Sequence, residues 1–181
     1  MTPAPTYAAS RSILDAMRAA VLSPSPRPIH IGITGTQGGM TGHQRHAVYE
    51  ILRKYRATTT PALDALAYVH HGCCVGVDEE VHQICFDFKI MTILHPPEDD
   101  KRMSLHLPKS IVVQTHPRRP YLTRNHDIVD SCDVLIAVPA QDDEVLRSGT
   151  WSTVRYARKR GKPILLLTPS SCPAPAVDDD D

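Results

Sequence analysis

Net charge is the first thing this chain lacks. Its 20 Lys and Arg balance 20 Asp and Glu, for a formal charge of +0. A dedicated nucleic-acid binder draws on a basic surface, so that class loses its electrostatic basis. Stacking platforms are scarce too, with two Phe and one Trp, whereas single-strand binding sites set bases on aromatic rings. No apolar run is long enough to span a bilayer. No signal-peptide pattern opens the sequence, since its first residues are rich in Pro, Ala and Thr and lack a continuous apolar core. The five cysteines are odd in number and include the neighbours Cys73 and Cys74, which argues against a disulfide framework. These absences together lead us to expect a reduced, cytoplasmic protein with no membrane segment.

What is present is ordinary globular material. With 181 residues, 41% hydrophobic and 22% charged, the chain is long enough for one domain with a full core. We expect a loose tail over 1–8, a single domain over 9–169 and a disordered Pro- and Asp-rich tail over 170–181. Helical spacing marks 9–22, 41–55, 77–88, 122–132 and 150–160. Short β-branched runs mark strands at 29–34, 66–70, 90–95, 111–114, 134–138 and 164–167. The charged stretch 98–109 reads as a mobile loop. Strand and helix alternate throughout, which predicts an α/β fold: a doubly wound, mostly parallel sheet with helices on both faces. Ligands of such sheets bind outside the carboxyl ends of the strands.

Three glycine turns occupy that edge: Gly35-Thr36-Gln37-Gly38-Gly39, Gly72 to Asp78, and Ser148-Gly149-Thr150. A strand that turns through glycine into a helix leaves backbone N–H groups at a positive helix end, where an anion can sit. The third turn adds two hydroxyls beside those amides and is read as a phosphate site. The first does not continue into Gly-Lys-Ser/Thr, so a P-loop is excluded. No serine sits in a Gly-x-Ser-x-Gly elbow either. Asp78, Glu79 and Glu80 open a helix, where carboxylates serve its dipole. Asp78 or Glu79 has a second reading, as a group that bonds a ribose hydroxyl or acts as a general base. Arg124 offers a planar fork for phosphate, with Asn125 beside it. Trp151 has two readings, stacking on a base or packing the core. His70, His71, Cys73, Cys74 and His82 crowd together but match no standard metal-ligand spacing. The cysteines are expected in the core and the histidines in loop or surface positions. Neither a metal nor a cofactor is expected.

The motifs Gly32 to Thr36, His70 to His82, Thr123 to Val129, Val134 to Pro139 and Arg147 to Thr153, in that order, resemble the SLOG superfamily. That group includes the Lonely Guy phosphoribohydrolases and the DNA-processing protein A family. The resemblance covers roughly Ile29 to Thr168, with Val77 where alanine is usual. It implies a modified Rossmann fold that binds a nucleotide or nucleotide-derived ligand. It also implies a site lined by Gly35, Thr36, Gly76, Asp78, Arg124, Asn125, Ser148, Gly149 and Thr150. Phosphoribohydrolases pair an arginine with a glutamate of a Pro-Gly-Gly-x-Gly-Thr-x-x-Glu motif. Here Thr153 falls at that glutamate's place, so the reaction would need Asp78 or Glu79 with Arg124. The first expectation is therefore a nucleotide-type small-molecule binder. N-glycosidic hydrolysis of a nucleoside monophosphate is the alternative, and single-stranded DNA binding is a second alternative. Dimers are common in the superfamily, which adds a homodimer to the expected partners.

Overall fold

Ile29, Ile31 and Ile33 alternate with His30, Gly32 and Thr34, so one strand feeds two different faces. In the computed structural model, which describes residues 29–58, 67–104 and 107–172, that strand is β1 (Ile29–Gly35). It is followed by α1 (Gly42–Thr58), β2 (Ala67–His71), α2 (Val77–Phe88) and β3 (Met91–Leu94). Then come β4 (Val112–Thr115), α3 (Tyr121–Ser131), β5 (Val134–Val138), α4 (Gly149–Lys159) and β6 (Ile164–Leu166). The six strands form one parallel sheet in the order β4-β3-β2-β1-β5-β6. The fold class is thus the one the alternation predicts. The expected helix over 9–22 lies outside the described residues.

The isoleucines of β1 share a core with Val48 and Leu52 of α1 and Val81 and Ile84 of α2. On the opposite face, Leu135 packs with Val129 of α3 and Ala157 of α4. Every residue of β5 is buried, as expected of a strand covered on both sides. Each such apolar side chain contributes about 1.5–3 kcal/mol by leaving water. The chain runs outward from β1 to β4 on one side and from β5 to β6 on the other. The order therefore reverses between β1 and β5, which opens a crevice at their carboxyl ends.

Helix starts follow their sequence signals. The Thr41 hydroxyl accepts from the Gln44 amide at 3.2 Å, and Gln44 Oε1 accepts from the Thr41 amide at 3.0 Å. This reciprocal capping box satisfies donors at the start of α1. The Gln44 side chain then donates to the carbonyls of Pro139 and Leu167, each at 2.8 Å. It ties α1 to the segments that leave β5 and β6.

Two boundaries differ from expectation. Residues 98–104 are not a loose loop. Met103 makes an antiparallel bridge with Cys74, the Val75 amide donates to the Arg102 carbonyl, and the Ser104 amide donates to the Cys73 carbonyl. Nor does the ordered chain stop at 169. The Ser170 amide and hydroxyl both donate to Asp142, and Cys172 is buried in the core. Residues 173–181 lie outside the described residues. No helix among the described residues is long and apolar enough to cross a membrane.

Candidate functional site

The crevice at the β1/β5 reversal is a cavity of about 530 Å³. One wall is the β1–α1 turn, Thr34 to Gln37, and another is the β5–α4 connection with Ser148, Gly149 and Thr150. Cys74, Asp78, Arg124 and Asn125 complete the deep part. Arg102, Tyr121, Leu122 and Arg147 also contribute. The structure thus brings together Gly35, Thr36, Asp78, Arg124, Asn125, Ser148, Gly149 and Thr150.

Four predicted site residues do not line it. Gly76 stands behind the first turn, with φ at +85°. A Cβ there would strike the carbonyls of Thr36 and Gln37, so glycine serves a backbone-to-backbone contact as well as the positive φ. Gly38 donates its amide to the Thr36 hydroxyl at 3.2 Å, which closes the turn on itself. Gly39 lies against Glu80, whose carboxylate accepts from the Met40 amide at 2.9 Å. Glu79 accepts from the Ser104 hydroxyl at 2.7 Å and so anchors the 98–104 segment. The amide of Thr36 is also engaged, by the Val138 carbonyl at 3.1 Å. Two amides of the first turn, those of Thr36 and Gly38, are therefore already engaged.

The start of α4 is different. Ser148 caps it, its hydroxyl accepting from the Trp151 amide at 3.3 Å. The next amides, of Gly149 and Thr150, belong to the first turn, where no carbonyl of the same helix can reach. Apart from its chain neighbours and the backbone of α4 itself, nothing lies within 4 Å of where a Gly149 Cβ would stand. Thr153 donates its hydroxyl to the Gly149 carbonyl and accepts from Asn125 Nδ2, both at 2.9 Å. The residue at the glutamate's place is thus a buried positioning residue for Asn125.

Arg124 crosses beneath the second turn. A Cβ on Gly72 would fall on its guanidinium, so only glycine admits the arginine there. Arg124 Nη2 donates to Cys74 Sγ at 3.1 Å, and Nη1 lies 3.9 Å from Asp78 Oδ2. Its side chain is 7% exposed and its Nε is buried without a hydrogen-bond partner. Asp78 Oδ2 also accepts from the amides of Gly72 and Cys74, each at 3.1 Å. Burial pushes the Asp78 carboxyl up, against the pull of Arg124 and both amides. Burial, with Asp78 nearby, likewise raises the Cys74 thiol, which holds it protonated at neutral pH.

The histidines require a correction. His70 and His71 on β2 and His82 on α2 are buried, not at loops or the surface, and His95, just past β3, is buried with them. His70 lies within 2.7 Å of His30 and 2.9 Å of His95, ring nitrogen to ring nitrogen. His71 similarly meets His82 at 2.8 Å, and the other nitrogen of His82 lies 2.8 Å from the Pro108 carbonyl. The rings of His30, His70 and His95 and of His71 and His82 thus pair with one another, which is how polar rings tolerate burial, while Nδ1 of His95 is left buried without a partner. Burial pushes His70 down to about 4, with His30 and His116 adding to the effect. His95 falls to about 3, again through burial first. No group of three or more His, Cys, Asp or Glu among the described residues is placed to hold a metal ion. Trp151 packs against Ala137, Val154 and Leu166, so its stacking reading does not hold.

Sequence reasoning missed Cys74, Arg102, Tyr121 and Arg147 as wall residues, and Gln44 as a tie. Only Gln44 had a local signal, the Thr-x-x-Gln box.

No protein-family profile and no curated protein matches the chain. Solved structures do. The molybdenum cofactor binding protein of Rippkaea orientalis is similar at 25% identity and a TM-score of 0.57, over 80% of this chain and 78% of that one. DNA processing protein A of Helicobacter pylori, a single-stranded DNA binder, is 21% identical with a TM-score of 0.54, over 78% of this chain and 66% of that one. DNA processing protein A of Streptococcus pneumoniae gives 18% and 0.53, over 84% of this chain and 52% of that one. The chain therefore shares the parallel α/β, Rossmann-like fold of these proteins.

Proposed function

We propose that the crevice binds a nucleotide or nucleotide-derived phosphorylated small molecule. Its phosphate rests on the start of α4. The carrying observation is the open space over Gly149, beside a serine cap and the first-turn amides. Arg124 supports the same reading, because a buried guanidinium with an unpartnered Nε on a cavity wall favours an anion. In this reading Asp78 positions Arg124 and the second turn. Its engaged oxygen argues for that role over bonding a ribose.

Binding without hydrolysis is the favoured form. Thr153 is committed to Asn125, and Glu79 to Ser104. That leaves Asp78 as the only carboxylate on the cavity wall among the described residues. The test is a panel of nucleoside monophosphates, read by thermal stabilisation and by chromatography for free base. Stabilisation without base release supports the proposal. Base release moves it to the N-glycosidase reading. No stabilisation by any member contradicts it.

The Rippkaea orientalis neighbour favours a second reading, a molybdenum-cofactor-type cargo in the same crevice. The three arginines on the wall suit an anionic cargo of this kind. Mass spectrometry of small molecules that copurify with the protein separates it from the first. The DNA processing protein neighbours carry the fold only, and the neutral overall charge gives no general support to oligonucleotide binding.

A further inference from the structure

Ion pairing is nearly complete on the surface away from the crevice. From Arg45 with Glu80 to Arg160 with Asp130, each arginine there with a described side chain has a carboxylate within ion-pair distance. Among the described residues, two arginines have neither an ion pair nor a side-chain hydrogen bond, Arg102 and Arg147. Both are exposed, and both line the crevice.

They reach it from different walls. Arg102 sits on the short helical turn Asp100–Arg102, which the second glycine turn holds through the Cys74–Met103 bridge and the Val75 amide. Arg147 immediately precedes the Ser148 cap of α4. Among the described residues the wall carries one carboxylate, Asp78, and that group already faces Arg124 at 3.9 Å. Two arginines on the crevice wall are therefore left without a paired carboxylate, and one of them, Arg147, directly precedes the positive start of α4. Exposed and solvated, they cost little while waiting, and an anion placed between them gains charge-assisted hydrogen bonds from both.

We propose that the crevice takes a ligand with a second anionic group beyond the phosphate on α4. The chemical class is a diphosphate ester, such as a nucleoside diphosphate, with its outer phosphate held by Arg102 and Arg147. This inference rests on the phosphate reading of the α4 start and adds a selectivity to it.

The test needs no knowledge of the base. Binding of inorganic phosphate and pyrophosphate is measured by calorimetry at one ionic strength. AMP against ADP and GMP against GDP repeat the comparison with an organic group attached. Pyrophosphate is expected to bind at least about tenfold more tightly than phosphate, one charged hydrogen bond's worth. The double variant Arg102→Gln/Arg147→Gln brings the two to within about threefold and leaves phosphate binding in place. Arg158→Gln/Arg160→Gln, two paired surface arginines, keeps the full preference and controls for net charge. Equal affinities in the natural protein, or a preference that survives the double variant, overturn the inference while phosphate binding itself stands. Failure of both ions and all four nucleotides to bind overturns the phosphate reading along with it.

Discussion

Gly72 and Gly149 both lie in connections that lead from a strand into a helix, Gly72 directly after β2 and Gly149 as the first residue of α4, and their surroundings are opposite. The Cβ that Gly72 lacks would fall on the guanidinium of Arg124. The Cβ that Gly149 lacks would meet no other segment of the chain within 4 Å. One glycine makes room for the protein's own cation. The other leaves room that the protein does not fill. A glycine between strand and helix is thus two different physical statements, and only the surroundings separate them.

The comparison can be broken first at the packed turn. Asp78→Ala removes the carboxylate that faces a buried arginine and holds two amides. It should cost about 3–5 kcal/mol, measured by urea unfolding. A loss below about 1 kcal/mol, the scale of a surface pair, would mean that Asp78 does not hold this turn together. Gly72→Ala should come next, at about 3 kcal/mol from overpacking. That lowers the thermal midpoint by roughly 6–12 °C in a chain of this size. If Gly72→Ala melts like the natural protein, the contrast between the two glycines disappears.

Acid sharpens the comparison through the buried rings behind the packed turn. His70 and His95 are neutral in the folded protein, held at about 4 and about 3, and return to roughly 6.5 when unfolded. The unfolded chain therefore binds more protons as pH falls below about 6.5, and stability drops progressively towards pH 4. His70→Gln should shed part of that slope in melts taken from pH 7 to pH 4. An unchanged slope would show that the ring is not buried in its neutral form. The smallest effect belongs to Glu79, which is outside the crevice. Glu79→Gln keeps an acceptor for Ser104, so it should change stability by less than about 1 kcal/mol and leave nucleotide protection unaltered in the same thermal assay.

Much of the architecture was legible because strand and helix patterns are local. Ile29, Ile31 and Ile33 announce a strand, Val81 and Ile84 a helix face, and their alternation a parallel sheet. The turn residues Gly35, Thr36 and Ser148 to Thr150 were legible for the same reason. What stayed hidden depends on contacts between distant segments. Arg102 and Arg147 sit in charged connections that look like any solvated loop. The burial of His70 and His95 requires partners on neighbouring strands, which composition does not reveal. Gly38, Gly39 and Gly76 looked like ligand glycines, since a turn that closes on itself and a turn that opens to a ligand share the same residues.

The central claim is that the space over Gly149 is a phosphate seat rather than an idle gap, and Gly149→Leu tests it most directly. The variant should melt within a few degrees of the natural protein, because a Cβ at this exposed helix start meets no other segment of the chain within 4 Å and leucine is a better helix former than glycine. It should also lose the thermal protection that phosphate and nucleoside monophosphates give the natural protein. Protection retained in a folded Gly149→Leu variant would contradict the account.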